Sequence, residues 1–303
     1  MKYIKLIKKK NNLNISDLGF LIAPLFNAAG RIDKAGKVVN LLTTSDNDEK
    51  SKIILDLHKL NNKRKNIEEI LMKEIDLYKI NKIKENVIVL LINNIHEGLI
   101  GIIASKVKEY FNKPCIIFTK SGSNYKGSAR STEDFNIARY LKLGIDKKII
   151  LNGGGHNLAA GLTIEKNKFQ TFVKFINDQL ILKKNIIRTK KYLSKINLSA
   201  VNLGFFEELN LLEPYGSLNT KPLFLIEDLK IIKSSILKNK YIYCLANSTS
   251  GKKINAISFS FLNSEISKIL LNYKNKVNII AEINLNLWNG RKSLQLNIQD
   301  IIL

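Results

Sequence analysis

Three glycine-bearing segments of the chain place bare backbone beside side chains that bind phosphate well. Their sequences are NAAGR at 27–31, KGSARS at 126–131 and GGGHNLAAG at 153–161. Glycine exposes backbone amides to an anion, a planar arginine guanidinium binds two phosphate oxygens at once, and serine and histidine add further donors. The chemistry common to the three segments is recognition of a phosphate group.

The middle segment supplies the most specific of these groups. Ser128 and Arg130 stand two positions apart after Gly127, so in an extended segment both side chains leave the same face. We predict that the hydroxyl, the guanidinium and a neighbouring amide bind a terminal phosphate. A surface hairpin is the alternative for so short a sequence taken alone.

The last segment offers shape rather than charge. Gly153, Gly154 and Gly155 predict a glycine-rich turn whose backbone a nucleotide can approach closely, and His156 adds an imidazole donor at its rim. A tight turn with a structural histidine is the alternative.

Two further candidates lie nearer the N-terminus. Arg31 ends the first segment as a candidate phosphate-binding cation, although Asp33 could pair with it and neutralise it. His96 and Glu97 precede the helical sequence GLIGIIAS, where a helix N-terminus attracts an anion. A solvent-exposed loop histidine is the alternative for His96.

The chain is poor in side chains that bind catalytic metals. Its three histidines, His58, His96 and His156, are isolated from one another, whereas two-metal hydrolysis needs clustered carboxylate and imidazole ligands. We therefore predict that this chain binds no metal itself and has no metal-dependent nuclease activity alone.

Composition indicates a globular protein of two domains, with 303 residues of which 45% are hydrophobic. The formal net charge of +23 favours a polyanionic partner, but abundant Lys, Asn and Ile, which have AT-rich codons, are the competing explanation. Cys115 and Cys244 lie in apolar runs and predict buried, reduced thiols. No apolar run reaches the ~20 residues of a membrane span, and no signal peptide is evident. These features predict a cytoplasmic protein without a membrane partner.

The elements that must position these residues follow two patterns. Residues 46–80 carry apolar side chains at helical spacing, interrupted by Arg64, and predict one helix of roughly 50 Å. Residues 86–184 then alternate strand and helix signals in the manner of an α/β domain.

Beyond a basic stretch at 183–195 the pattern becomes that of a β-barrel. A helical sequence at 264–273 lies between the third and fourth of five strand candidates: 223–233, 240–247, 252–261, 276–287 and 292–302. This order is typical of an OB-fold. Four aromatic residues there could stack bases or belong to the core, and we assign none of them to DNA: Tyr215, Tyr241, Tyr243 and Trp288.

Taken in order, the three segments resemble the C-terminal half of RecJ, the single-stranded-DNA-specific 5′ to 3′ exonuclease family of the DHH phosphoesterase superfamily. The resemblance runs from about Leu18 to Leu303. It implies an α/β DHH-associated domain preceded by a long connector helix and followed by an all-β OB-fold barrel. The implied divisions are a remnant of the catalytic domain's edge at 1–45, the connector helix at 46–84, the DHH-associated domain at 85–190 and the OB-fold at 191–303.

The resemblance also implies roles for individual residues. Arg31, Ser128 and Arg130 would bind the 5′-phosphate, the GGGH sequence would hold the strand's backbone and bases, and His96 would lie at the cleft edge. The chain departs from the family at Leu25, where an arginine is usual, and at Leu218, where a glycine is usual. The family's Asp-His-His triplet is not in this sequence, so Mg²⁺ or Mn²⁺ would be held by a catalytic DHH domain that the chain lacks.

Three functions follow as hypotheses. The first is the substrate-binding portion of a RecJ-like exonuclease in DNA repair and recombination, whose partners would be single-stranded DNA and a separately encoded DHH domain. The second is a non-catalytic single-stranded nucleic-acid-binding protein. The third is an RNA-directed DHH-associated domain, as in alanyl-tRNA synthetases and short-oligonucleotide phosphodiesterases, and the C-terminal OB-fold argues against it.

Overall fold

The computed structural model describes most of the chain, which divides into two compact units, Met1–Ile186 and Ile187–Leu303. The described residues are 15–79, 85–179, 191–216, 218–260, 262, 264–272, 276–288 and 290–302. Each unit has its own hydrophobic core.

The first unit begins with helices. A helical turn at Ile15–Asp17 and a π-helical segment at Leu18–Ile22 lead into α1 (Ala23–Ile32), which is followed by α2 (Gly36–Thr43) and α3 (Asn47–Lys79). Ala29, Leu41 and Leu57 are buried where these three helices pack together.

Helix α3 is the long helix predicted from the apolar spacing. It contains 33 residues, or roughly 50 Å at 1.5 Å per residue, and the predicted residues 80–84 lie outside the described residues. The backbone amide of Asp48 donates to the Asp46 carboxylate at 2.8 Å, which caps the helix N-terminus. The Glu49 carboxylate accepts a hydrogen bond from the Thr44 hydroxyl at 2.5 Å.

A mixed five-stranded sheet follows. Its elements in chain order are β1 (Ile88–Leu91), α4 (Glu97–Phe111), β2 (Cys115–Ser121), β3 (Asn124–Arg130), α5 (Ile137–Asp146), β4 (Asn152–His156), β5 (Ala159–Glu165) and, after a 3₁₀ turn, α6 (Phe169–Asp178). The strand order is β1-β2-β3-β5-β4, with β1 and β2 parallel and the other pairs antiparallel.

The two faces of this sheet differ. One face packs against α5 and α6 through an apolar cluster that includes Phe118, Leu141 and Phe172. The other is covered by α4, whose Ile103 and Val107 pack on β1 and β2. On this second face β4 and the adjoining part of β5 are open to solvent.

The glycine-rich segment is a correction to the sequence prediction. Gly153 to His156 were expected in a turn, but they form β4, an edge strand paired with β5. Only Asn157 and Leu158 lie between the two strands. Antiparallel pairing satisfies the backbone groups that a glycine-rich loop would leave free, and this stabilises the strand despite its low intrinsic propensity.

The second unit is a closed β-barrel. Its elements are β6 (Ser194–Ile196), α7 (Leu203–Asn210), β7 (Phe224–Leu237), β8 (Tyr241–Asn247), β9 (Lys253–Ser258), α8 (Glu265–Asn272), β10 (Lys276–Trp288) and β11 (Arg291–Ile302). Pairing of β10 with β7 closes a ring in the order β7-β8-β9-β11-β10, and β6 adds to β7 in parallel. The predicted OB-fold is confirmed, including the helix between its third and fourth barrel strands.

Both cysteines are free and buried, as predicted. Burial raises the pKa of the Cys115 thiol and raises that of Cys244 to about 12. Among the described residues, no helix combines the length and the apolar character that crossing a membrane requires.

Candidate nucleic-acid interface

One cleft of about 380 Å³ in the first unit brings together four of the predicted site residues. Arg31 reaches the cleft from the C-terminal end of α1, His96 from the N-terminus of α4, and Ser128 and Arg130 from β3. These residues come from three segments separated in sequence. Their convergence is what the phosphate-site prediction required, although it does not itself identify the ligand.

Ser128 and Arg130 lie on the same face of β3, as the two-residue spacing predicted. The Arg130 Nη1 donates to the Ser128 hydroxyl at 3.2 Å and to the backbone carbonyl of Ala129 at 2.8 Å. Burial lowers the pKa of the Arg130 guanidinium, and the nearby positive charge of Arg31 lowers it further. The hairpin alternative is also correct in part, because β3 is one strand of a hairpin with β2.

Gly127 and Ser131 of this segment are structural. A Cβ on Gly127 would meet the Phe118 ring at 2.5 Å and Leu162 at 2.8 Å, so glycine there permits close core packing. The buried Ser131 hydroxyl donates to the carbonyl of Phe135 at 2.5 Å. Ser128, Arg130 and the exposed Lys126 line the cleft and are available to a ligand.

Arg31 is held at the cleft by backbone rather than by a carboxylate. Its Nη1 donates to the carbonyl of Gly98 at 3.2 Å. Asp33, the alternative partner, pairs with Lys37 at 2.8 Å. Burial lowers the pKa of Arg31, Arg64 adds to this effect and Glu68 opposes it.

Two glycines of α4 shape the cleft, and the sequence analysis did not single them out. A Cβ on Gly98 would meet the backbone oxygen of Arg31 at 2.3 Å, so glycine lets the end of α1 approach α4. A Cβ on Gly101 would lie 3.1 Å from both the Ser128 hydroxyl and an Arg130 nitrogen. The three-residue spacing of these glycines on one helical face was the available signal.

The rim of the cleft carries a histidine and an ion pair. His96 is the N-cap of α4, and its Nδ1 accepts from the Gly98 amide at 3.1 Å. This exposed cap explains the position of His96 structurally, while leaving its Nε2 as a donor beside the cleft. Lys126 Nζ lies 2.8 Å from the Glu97 carboxylate, and both residues line the cleft.

The GGGH segment lies away from the cleft, on the open part of the same sheet face. The register pairs Ser128 with Gly161 and Gly161 with Gly154, so these three residues share one face. In the same way Arg130 aligns through Ala159 with His156. Two strand spacings of ~4.8 Å put β4 about 10 Å from β3.

The glycines of this segment serve different purposes. A Cβ on Gly155 would meet the Ala159 oxygen at 2.3 Å, and one on Gly153 would meet the Gly161 oxygen at 2.9 Å. A Cβ on Gly154 would have no atom within 4 Å, and one on Gly161 would have only a carbonyl oxygen, at 4.0 Å. Steric packing explains the first two glycines, whereas nothing in the described structure requires the second two.

A buried polar network lies behind the cleft. Arg64, which interrupts the apolar stripe of α3, donates to Asn61 at 2.8 Å and pairs with Glu68 at 2.9 Å. Lys106 of α4 reaches the other Glu68 oxygen at 2.8 Å. This network joins α3 to α4. His58 also lies on α3, and its buried Nε2 has no hydrogen-bond partner among the described residues.

Aromatic side chains also mark the outer surface of the barrel. Tyr241 and Tyr243 alternate with the buried Ile242 on β8, and the Tyr241 ring packs edge-on against the exposed Phe259, with 4.9 Å between centroids. Phe259 was not among the predicted aromatics. The Tyr215 hydroxyl donates to the Leu209 carbonyl at 2.5 Å, and burial raises its pKa. Tyr215 is thus tied to the protein, and the Trp288 side chain lies outside the described residues.

Comparison with known proteins agrees with this architecture. The family model of the DHHA1 domain matches residues 84–181, and that of the RecJ OB domain matches residues 194–300. The chain therefore contains a DHHA1 domain followed by a RecJ OB domain. The DHHA1 domain contains β3 and the GGGH strand, and the OB domain contains the closed barrel.

The chain is similar to the single-stranded-DNA-specific exonuclease RecJ of Bacillus subtilis, which is 27% identical over 295 residues, covering 95% of this chain and 37% of the relative. RecJ of Thermus thermophilus is 31% identical over 210 residues, covering 69% of this chain and 30% of the relative. The crystal structure of Thermus thermophilus RecJ with Mn²⁺ superposes with a TM-score of 0.81 at 25% identity, covering 99% of this chain and 44% of that one.

The predicted resemblance to part of RecJ is therefore confirmed. The chain spans between 30% and 52% of the length of its RecJ relatives. The roles assigned to individual residues remain predictions.

Proposed function

We propose that this chain is the substrate-binding portion of a RecJ-like 5′ to 3′ single-stranded-DNA exonuclease, and that its cleft binds the 5′-terminal phosphate. The observation that carries the proposal is the meeting of Arg31, Ser128 and Arg130 in one cleft. Among the described residues, no carboxylate lies within ion-pairing distance of either guanidinium. Two neighbouring, partly buried cations that have no described carboxylate at ion-pairing distance favour a bound anion, since it relieves their repulsion.

The chemistry of the cleft suits a terminal phosphate better than an internal linkage. A terminal phosphate carries about −1.5 to −2 charges and three acceptor oxygens. Two guanidinium groups and a hydroxyl supply enough donors for all three oxygens. An internal phosphodiester has one charge and fewer free oxygens, and would leave one arginine without a matching partner.

The open part of the sheet offers a path for the strand that follows. Gly161 and Gly154 continue the row that begins at Ser128 and leave the face without side chains. A nucleic-acid backbone can approach such a surface closely and meet the exposed His156 at its edge. We therefore keep Gly154 and His156 as predicted DNA contacts, and assign Gly153 and Gly155 to the packing of β4 on β5.

The OB domain would contribute the second contact with the strand. Outward-facing Tyr241, Tyr243 and the exposed Phe259 give the barrel an aromatic surface, and OB-folds bind single strands by stacking bases on such residues. The net charge of +23 adds affinity that weakens with salt. Single-stranded DNA is the proposed partner, and the cytoplasm is the proposed location.

The described residues do not fit the metal chemistry of the family. The crystal structures of RecJ contain Mn²⁺ or Mg²⁺, but no group of three or more His, Cys, Asp or Glu side chains converges within the described part of this chain. We derive no hydrolytic step from these residues. Hydrolysis would require the metal ligands of a DHH domain, and we propose that a separate polypeptide supplies this domain.

The first helices provide a surface on which such a domain could pack. Phe20 is 81% exposed and Leu42 is 69% exposed, and Ile15, Leu18 and Val39 of the same helices are also exposed. Large exposed apolar side chains are typical of a surface that binds another protein. A Phe20→Glu variant should bind a purified RecJ-type DHH domain more weakly than the parent chain does.

A non-catalytic single-strand-binding protein is the second candidate, favoured by the lack of a converging ligand group in the described residues. Incubating the chain with 5′-labelled single strands and Mn²⁺ tests both candidates. We expect no release of mononucleotides by the chain alone. Release restored by adding a DHH domain supports the first candidate, whereas release by the chain alone would contradict both.

Binding to DNA tests the phosphate site directly. Arg130→Ala should weaken binding of 5′-phosphorylated single strands by ~10- to 150-fold, because a hydrogen bond to a charged group contributes about 1.5–3 kcal/mol. Arg130→Lys should restore only part of the affinity, since it lacks the planar two-donor geometry. Strands with a 5′-hydroxyl should bind almost unchanged.

Fluorescence anisotropy with both kinds of strand measures this effect. Lys142→Ala is the matched control, because it removes one positive charge from the exposed surface of α5, on the opposite side of the sheet. Equal loss of affinity for phosphorylated and unphosphorylated strands would show Arg130 to be a general backbone contact. No loss for either strand would contradict the proposed phosphate site.

A further inference from the structure

The cleft contains one group that an anion site should not have. Glu97, the first residue of α4, lines the same cleft as the two arginines. Its carboxylate is paired with Lys126 at 2.8 Å, and the two side chains are 46% and 49% exposed. An acidic residue is favourable at a helix N-terminus, but the lysine that meets it belongs to β3 and is part of the phosphate-site motif.

Lys126 continues the line of groups on which the phosphate site is built. It lies four positions before Arg130 on β3, on the face that also carries Ser128. At ~3.3 Å per residue its Cα is about 13 Å from that of Arg130. One edge of the cleft therefore carries two successive groups that can bind phosphate. The first is the Ser128 and Arg130 pair, and the second is the Lys126 ammonium.

The cleft has room for more than a terminal phosphate. Its volume of about 380 Å³ corresponds to roughly a dozen water molecules at ~30 Å³ each, and one phosphate group fills only part of it. The ion pair between Lys126 and Glu97 is also easily exchanged, because a pair this exposed contributes little to stability.

We propose that Lys126 binds the phosphodiester that links the first two nucleotides, and that Glu97 holds Lys126 in the empty cleft. This inference rests on the proposed binding of the 5′-terminal phosphate by Arg130. When a strand enters, the Lys126 ammonium leaves the Glu97 carboxylate for the phosphodiester oxygen. Because the exchange gives up an existing ion pair, it favours strands already held by their terminal phosphate over strands that pass the cleft at an internal position.

A neutral linkage at one position tests this assignment. The probes are 5′-phosphorylated single strands with all phosphodiester linkages, with one methylphosphonate at the first linkage, or with one at the third. Lys126→Met keeps the aliphatic stem and removes the charge. Lys126→Met should weaken binding of the all-phosphodiester strand and of the third-linkage methylphosphonate strand by roughly 3- to 10-fold. Binding of the first-linkage methylphosphonate strand should be unchanged. For the all-phosphodiester strand, the plot of log binding constant against log salt concentration should become less steep by about 0.7 in this variant.

The companion variants separate this inference from the proposed function. Glu97→Gln should strengthen binding of the all-phosphodiester strand by a few-fold and have a smaller effect on the first-linkage methylphosphonate strand. Arg130→Ala should weaken all three phosphorylated probes alike. If Arg130→Ala has no effect, the proposed terminal-phosphate site fails.

Two results would overturn the assignment of Lys126 while leaving Arg130 in place. One is an equal loss for all three probes in Lys126→Met, which would make it a general cation. The other is no loss for any probe, which would leave the ion pair a purely structural contact of α4. Thermal unfolding of each variant verifies that the comparison is made on folded protein, and Lys126→Gln provides a second uncharged side chain.

Discussion

The two ends of one sheet face offer a ligand different surfaces. Over β3 the face is partly covered by α4 and carries Ser128 and Arg130, with Arg31 beside them. Over β5 and β4 the face is open and presents Gly161 and Gly154. The covered end can recognise a group by charge and hydrogen bonding. At Gly161 and Gly154 the open end has no side chains, so a nucleic-acid strand can approach its backbone closely. A terminal phosphate and a continuing strand need these two properties in this order.

The comparison of the two ends assumes that Gly155 is required for packing and that Gly154 is not. Stability measurements can test this assumption. Gly155→Ala should destabilise the protein by about 1–3 kcal/mol, because its Cβ would overlap the backbone of β5. Gly154→Ala, the matched control one residue away, should change the free energy of unfolding by less than ~0.5 kcal/mol. Urea unfolding measures both values, and similar losses in the two variants would show that the whole segment serves packing.

DNA binding by the open end can then be tested without loss of the fold. Gly154→Val and Gly161→Val place a branched side chain on the bare face and should weaken binding of single strands by roughly 3- to 10-fold, the effect of losing contacts worth about 1 kcal/mol. The loss should be the same for 5′-phosphate and 5′-hydroxyl strands. A loss confined to phosphorylated strands would instead place the terminal phosphate on the glycine strand.

A smaller effect is expected at the covered end from Gly101→Ala. The added Cβ would lie 3.1 Å from the Ser128 hydroxyl and from an Arg130 nitrogen, so both donors must shift by a few tenths of an ångström. We expect the preference for 5′-phosphorylated strands to fall by about 2- to 5-fold, or ~0.4–1 kcal/mol, with no change for 5′-hydroxyl strands. Ser105→Ala, one turn further along α4, is the control, and an equal effect there would indicate a general disturbance of the helix.

The smallest effect concerns pH. Burial lowers the pKa of Arg31 and of Arg130 from the ordinary value of an arginine. When the pKa of a basic group is lower in the folded than in the unfolded state, its protonated form lowers the free energy of unfolding. This loss of stability begins to diminish only when the pH rises through the folded-state pKa. Both guanidiniums stay charged between pH 7 and 9, so the 5′-phosphate preference should be constant there. Below pH 6 it should decline as the phosphate loses its second charge, and titrations across this range would expose any other titrating group in the cleft.

The sequence predicted the fold well where spacing alone decides it. The apolar period of α3 and the order of the five barrel strands were sufficient, since a 3.6-residue period and a strand-strand-strand-helix-strand-strand order each admit few structures. The glycine-rich strand was missed because glycine has no intrinsic preference for a strand, and only the pairing with β5 stabilises it there.

The candidate site was predictable at Ser128, Arg130 and Arg31 because their side chains carry the chemistry. Gly101 was missed, because its three-residue spacing from Gly98 indicates a shared helical face but not which side chains that face meets. The Lys126 and Glu97 pair joins a strand to a helix almost thirty positions away, and no local pattern indicates which lysine meets which glutamate.

The polar network around Arg64 has a consequence for the geometry of the cleft. An apolar stripe of leucine and isoleucine tolerates sliding of one helix along another, because a one-turn slip of 5.4 Å brings similar side chains into contact. Glu68 is 4% exposed and is held by Arg64 from its own helix and by Lys106 from α4. A slip would leave its buried charge without the second partner, at a cost of several kcal/mol. The ion pair between α3 and α4 therefore sets the register of the two helices, and with it the separation of Arg31, on a helix packed against α3, from Arg130, beneath α4.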